Sequence, residues 1–220
     1  MKTKIFQTIN IDDEKYINSS IKNYPYIELR LDYITKTNLD NIFTQKNDYN
    51  EIITTIPIKD AKNEYAIMTL NKAINLGSNY IDINIESIEY KETATIINKA
   101  LTKKCKTILS VHKINDIISN NEIDELLKKQ KEHKIDHLKI VLNPNNDDEY
   151  QYFCNLYKIY KNIIFLCIGK YSMDSRILAI KNEVPFIYTL SDGSAMMYDG
   201  QVYYRDLKRR IEEGRGLGLD

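Results

Sequence analysis

The stretch YIELRLDYI, residues 26–34, alternates with period two. Ile27, Leu29 and Leu31 fall on one parity, and Glu28, Arg30 and Asp32 on the other. That period predicts a β-strand whose side chains point to opposite faces. If the strand lies in an open antiparallel sheet, the charged parity is simply the wet face. If it belongs to a closed barrel, the same parity lines the interior.

The rest of the chain decides between these readings. Short apolar runs bounded by turn residues predict further strands at Lys4–Ile9, Glu51–Thr55, Tyr80–Ile85, Thr107–Val111, His137–Val141, Ile163–Ile168 and Pro185–Thr189, with the opening strand at Tyr26–Leu31. Helical spacing of apolar residues predicts helices at Asp13–Asn23, Tyr65–Leu76, Thr93–Lys104, Glu122–Glu132, Asp147–Tyr160, Ser172–Lys181 and Val202–Glu213. Eight strands alternating with helices, without Gly/Ser linkers, point to one α/β domain over residues 1–220, a (β/α)8 TIM barrel. A doubly wound open sheet is the competing arrangement. It lacks support because no GxGxxG or GxxxxGK[ST] follows the first strand, and the chain has only 7 glycines. The residues after Gly214 are expected to form a loose tail.

Composition narrows the function classes. Hydrophobic residues at 43% and charged residues at 28% suit a folded soluble chain. Basic and acidic residues balance at 31 each, so no basic field is available to hold nucleic acid. The opening MKTKIFQTINIDDEKY lacks the apolar core of a signal peptide, and no apolar run reaches membrane-spanning length. The expectation is a cytoplasmic protein without membrane contact. Cys105, Cys154 and Cys167 have neither paired number nor CxxC spacing, which predicts buried free thiols rather than a disulfide framework or zinc site.

In a barrel, chemistry sits at the C-terminal ends of the strands, and several strands place polar groups there. The fourth carries Asp82, Asn84 and Glu86 on one parity; the fifth runs out at His112; the sixth holds Lys139 inside an aliphatic run. A lysine in a central strand must pair with an anion, lower its pKa, or snorkel out. A desolvated lysine is the amine that forms Schiff bases with carbonyl substrates. His112 is placed to act as general acid or base, and its juxtaposition with Lys139 on adjacent strands favours a catalytic pair over two structural residues. His133 and His137 fall at the opposite end and are expected to be solvated. Arg176, in the segment SMDSR after the seventh strand, suits a substrate carboxylate, or else pairs with Asp174.

Taken in order, IELRLD (27–32), SVH (110–112), LKIV (138–141), SMDSRI (172–177) and GQVYY (200–204) make the chain resemble the type I 3-dehydroquinate dehydratases of the shikimate pathway, in their short archaeal form. The resemblance spans nearly the whole chain. It implies conversion of 3-dehydroquinate to 3-dehydroshikimate and water through an imine on Lys139, with His112 as acid and base. It further implies that Glu28 and Arg30 hold the ring hydroxyls, that Arg176 binds the carboxylate, and that Gln201 adds a contact. No metal or diffusible cofactor is implied, and a homodimer is. The tyrosines of Tyr150–Tyr160 and Tyr203–Tyr204 are candidates for the dimer surface, or for ordinary helix packing.

Departures from the family pattern fall in three places. Pro57 stands where an arginine is usual, with Lys59 or Lys62 as substitutes for its charge. The acid that orients the histidine has no clean match, leaving Glu86, Glu64 and Asp82 as partners for His112. Met197 occupies the position of a serine, with Ser194 nearby. Asp32 either binds substrate or pairs with Arg30. The competing functions are a Schiff-base aldolase acting on another oxo-acid and a silent barrel that binds a small acid.

Overall fold

A computed structural model describes residues 3–61 and 63–214, and the expected loose tail lies outside the described residues. Its first half runs β1 (Lys4–Ile9), α1 (Glu14–Asn23), β2 (Tyr26–Arg30), α2 (Leu39–Thr44), β3 (Glu51–Thr55), α3 (Glu64–Asn75), β4 (Tyr80–Asn84) and α4 (Lys91–Thr102). The second half runs β5 (Lys106–Lys113), α5 (Asn120–Glu132), β6 (His137–Leu142), α6 (Asp147–Ile159), β7 (Ile163–Cys167), α7 (Ser172–Lys181), β8 (Phe186–Leu190) and α8 (Tyr204–Gly214). All pairings are parallel, in the order β7-β6-β5-β4-β3-β2-β1-β8. This is the (β/α)8 barrel that the alternation predicts. Among the described residues no helix is long and apolar enough to cross a membrane.

β2 settles the question its sequence poses. Ile27, Leu29 and Leu31 are fully buried under the helices, each contributing roughly 1.5–3 kcal/mol by leaving water. Glu28, on the other parity, is buried too, at 5% exposure. Arg30 is half-buried and Asp32 exposed, so the charged face climbs the barrel interior toward its open end.

Local signals place the helices. Asp13, Ser119 and Asn146 cap α1, α5 and α6 by accepting bonds from backbone N–H groups of the first turn. At α5, Ser119 and Glu122 form a reciprocal capping box. The sequence missed α2. Its six residues are too few to show a helical period, and burial of Ile42 and Phe43 together with the Asn38 cap holds it in place.

The N-terminal end of the barrel is plugged by aromatic rings. Phe6 meets Phe186 and Tyr26, each at 5.5 Å between ring centres, and Tyr80 meets Phe186 at the same distance. His137 joins this plug rather than water, standing edge-on to Phe186 at 5.2 Å, with its pKa lowered by burial. Its alternation along β6 turns it inward with Lys139, which overrides the polar neighbourhood that suggested solvation. His133 is half-buried at the C-terminus of α5, 3.7 Å from Glu89. Cys105 and Cys167 are buried free thiols as expected, and Cys154 is half-buried. The tyrosines singled out for a dimer surface are engaged within the chain. Tyr150 stacks on Tyr171 at 4.3 Å, Tyr157 is buried, and Tyr204 packs edge-on against Tyr24.

β7 and β8 stand at the two ends of the pairing order, and no ladder joins them. The seam is closed instead by Arg176 from α7. Its Nε donates to Tyr188 O on β8, and its Nη1 donates to Cys167 O on β7 and Ser172 O. Above the seam, Gly169 N donates to Asp199 O, and Gly200 adopts φ +74°. A Cβ on Gly200 would come within 2.7 Å of the Gly169 backbone.

Two substitutions check these backbone assignments by chemical denaturation. Gly200→Ala is expected to cost about 1–3 kcal/mol, because it combines a left-handed φ with a collision. Lys134, exposed at φ +56° after α5, should gain about 1 kcal/mol on replacement by glycine.

Candidate active site

Two adjoining pockets at the C-terminal ends of the strands share Glu28, Arg30, His112, Lys139 and Tyr198. Arg176 and Gln201 line one of them, and Asp82 and Glu86 the other. The structure therefore gathers all six residues singled out from the sequence: Glu28, Arg30, His112, Lys139, Arg176 and Gln201.

Lys139 points inward from β6 and is buried, with Nζ 2.5 Å from Asp82 Oδ2 and 4.6 Å from the centre of the Tyr188 ring. Of the three fates open to a buried lysine, the fold supplies the first, an anion. Asp82 reaches it because β4 and β6 both pair with β5 and turn their inward parity to the same space.

His112 lies within β5, which extends to Lys113, two residues beyond the predicted end. Register places Ser110 beside Lys139 and His112 beside Val141, one inward position above the lysine. The surrounding protein, then the positive charges of Lys139 and Arg30, push the imidazole pKa down to about 4, against the opposing pull of Asp82 and Glu86. Solvent reaches the ring through the open pocket, so the result the geometry establishes is the direction: a neutral imidazole at neutral pH. Glu86 flanks the histidine, on the continuation of β4 past Asn84, which pairs with Ser110. Asp82 is committed to Lys139, and Glu64 starts α3 away from the pocket-lining residues.

Glu28 accepts from Thr8 Oγ1 at 2.5 Å and from Thr55 Oγ1 at 3.0 Å, so neighbouring strands satisfy its buried carboxylate. Asp32 does not reach the strand interior. It holds Arg30 through a two-pronged contact, at 2.9 Å to Nε and 2.7 Å to Nη2. Burial works against the guanidinium charge, but the Asp32 bonds and nearby Glu28 carry the Arg30 pKa further up.

Arg176 does not pair with Asp174. It is fully enclosed, its bonds go to three carbonyls, and desolvation brings its pKa down to about 10. Those bonds use Nε and Nη1. Nη2 is the donor left over, on a cation whose neighbours are dipoles rather than a carboxylate. Gln201 Oε1 accepts from the backbone N–H groups of Met197 and Tyr198, which folds the loop over the pocket and leaves Nε2 to donate.

The departures are equally legible. Pro57 lines the pocket, and the backbone after it is clamped by Asn84, whose Oδ1 accepts from Ile58 N at 3.0 Å. Asn84 Nδ2 also donates to Glu86 at 3.0 Å. Lys59 is exposed and absent from the pocket lining, and Lys62 lies outside the described residues. Ser194 is buried in structural bonds to Ser191 and to Asn10 N, while Met197 lines the pocket. The sequence did not identify Tyr188 or Thr8 as pocket residues; both look like ordinary strand residues until β8 and β1 are placed side by side.

Comparison with known proteins adds family to geometry. The type I 3-dehydroquinase model matches residues 6–212. A type I 3-dehydroquinate dehydratase from Clostridium difficile, solved with covalently modified comenic acid, aligns over 98% of this chain and 93% of its own, at 19% identity and TM-score 0.77. The enzyme from Aquifex aeolicus aligns over 98% and 99%, at 18% identity and TM-score 0.73. The carboxyl transferase domain of Rhizobium etli pyruvate carboxylase shares the barrel at 10% identity and TM-score 0.69, over 100% of this chain and 45% of its own. Such likenesses carry the fold alone, since one barrel supports many chemistries. Sequence comparison with curated proteins gives no match. Membership rests on the family model, which spans almost the entire barrel: the chain belongs to the type I 3-dehydroquinase family and is a hydro-lyase that dehydrates 3-dehydroquinate.

Proposed function

We propose that the dehydration runs through an imine on Lys139 with His112 as the proton carrier. The observation that carries this reading is the buried Lys139 Nζ, 2.5 Å from Asp82 and facing the pocket beneath His112. Asp82 takes a proton from the ammonium, and the freed amine adds to the C3 ketone of 3-dehydroquinate. The carbinolamine loses water to give an iminium. That cation draws electrons from the adjacent C2–H bond, whose proton passes to neutral His112. The imidazolium returns the proton to the C1 hydroxyl as it departs as water. Hydrolysis of the conjugated iminium releases 3-dehydroshikimate and restores the lysine. One water is consumed and two are released, so the net change is one dehydration.

Substrate placement follows from the remaining charges. Arg176 Nη2 meets the carboxylate, because it is a buried cation without an anion of its own. Gln201 Nε2 donates beside it. Glu28 and the free edge of Arg30 take the ring hydroxyls, and Asp32 keeps Arg30 in place. Glu86 is the acid beside His112. A homodimer in the cytoplasm completes the reading, supported by the family resemblance and checked by light scattering.

Borohydride added with 3-dehydroquinate should fix a covalent adduct on Lys139, visible by mass spectrometry and absent from Lys139→Met. No adduct, together with no enone absorbance, would sink the proposal. The His112 pKa supplies a second check. The unfolded chain binds this proton near 6.5 and the folded chain only near 4, so stability falls as the pH drops through that window. His112→Asn should flatten this slope in denaturation midpoints. In the active protein, the acid limb of kcat/KM should lie below 6.5. Arg176→Leu should raise KM at least tenfold or so, the scale of one charge-assisted hydrogen bond, and also lower the melting temperature through the opened seam.

A further inference from the structure

Tyr188 lies against Lys139, and the imine reading leaves it without a part. Its ring centre lies 4.6 Å from Nζ, it is 8% exposed, and it lines the pocket. Its hydroxyl is buried without a hydrogen-bond partner. Burying a hydroxyl unpaired is unfavourable, so hydrogen bonding does not account for an aromatic residue at this site. Packing explains part of it, since the ring caps the aromatic plug at 5.8 Å from Phe186. The contact with the reacting nitrogen is what packing does not require.

We infer that Tyr188 is a further catalytic residue, whose ring face stabilises the iminium cation formed on Lys139. The reason lies in the donor count of the nitrogen. As an ammonium, Nζ carries three N–H bonds and can satisfy several acceptors. As an iminium it carries one, which Asp82 occupies, while the positive charge spreads over nitrogen and C3. A π face needs no N–H directed at it and is attracted to the cation through its quadrupole. Asp82 and Tyr188 thus flank the nitrogen from two sides, one through a hydrogen bond and one through the ring. The stabilisation applies to both iminium states, before C2 deprotonation and after loss of the hydroxyl. It is absent from the neutral enamine between them. The phenol stays neutral because burial, and then the negative charges of Asp82 and Glu28, raise its pKa. No extra reactant or proton enters the sequence, because the ring exchanges neither.

The inference rests on the imine reading, and its test separates the two. Tyr188→Phe and Tyr188→3,4,5-trifluorophenylalanine are prepared, and adducts are trapped with 3-dehydroquinate and borohydride under matched conditions. Both replacements preserve ring volume, while fluorination removes most of the negative character of the face. Tyr188→Phe keeps the ring face and is the reference for the fluorinated ring, with a raised melting temperature expected because an unpaired hydroxyl is gone. The fluorinated ring is expected to lower kcat and trapped adduct about tenfold, the scale of a desolvated cation–π contact, with KM little changed. Equal adduct and kcat for the two rings would overturn the role of Tyr188 and leave the imine standing. A loss as large with plain phenylalanine would overturn it as well, by assigning the effect to the hydroxyl. Absence of adduct on the unsubstituted protein overturns the imine, and this inference with it.

Discussion

The ion pair between Lys139 and Asp82 is the constraint around which the interior is arranged. Both side chains are nearly shielded from water, and their charged atoms sit 2.5 Å apart. Removing either partner strands a buried charge, a loss on the order of 3–5 kcal/mol, whereas the intact pair gains little net stability over apolar packing. Such a pair is costly to keep for stability alone. The barrel supplies what the pair requires: a closed wall of strands, an aromatic plug below it, and an opening above.

Neighbouring groups then fall into a consistent electrostatic order. Arg30 is matched by Asp32, Lys139 by Asp82, and Glu28 by two threonine hydroxyls. Arg176 is held by carbonyl dipoles rather than by a carboxylate. The same side chain bridges β7 and β8, where the strands lack a ladder. A buried cation and closure of the barrel therefore meet at one residue. Desolvation, and then the positive charges of Lys139 and Arg30, keep His112 neutral, which is the protonation state that a base acting at neutral pH needs.

The three family departures have different physical standing. Where the family's acid beside the histidine has no clean match, Asn84 serves as a clamp, tying the loop after β3 to β4 and holding Glu86. Pro57 lines the pocket where the family pattern has an arginine, and Lys59 is exposed and outside that lining. Met197 presents an apolar side chain while its backbone N–H anchors Gln201. Lys139, His112 and Arg176 all line the pocket despite these departures.

The sequence by itself determined the alternation of strands and helices, the inward parity of β2, and the order of the motifs. These are local patterns: period two, period 3.6 and caps are written in neighbouring residues. Charges inside aliphatic strands brought Glu28, Arg30 and Lys139 into view, a strand end His112, and the segment after the seventh strand Arg176, whereas Gln201 came only from the family resemblance. The sequence did not show α2, which is too short for a period, or the inward turn of His137. It left open whether Asp32 meets substrate or Arg30, and which acid faces His112. Which acid faces His112 depends on register between strands far apart in the chain, as the 57-residue separation of Lys139 and Asp82 illustrates. Tyr188 belongs to the same class. Only closure of the barrel brings its ring beneath the lysine, since distance across an interior is a property of the fold and not of any stretch within it.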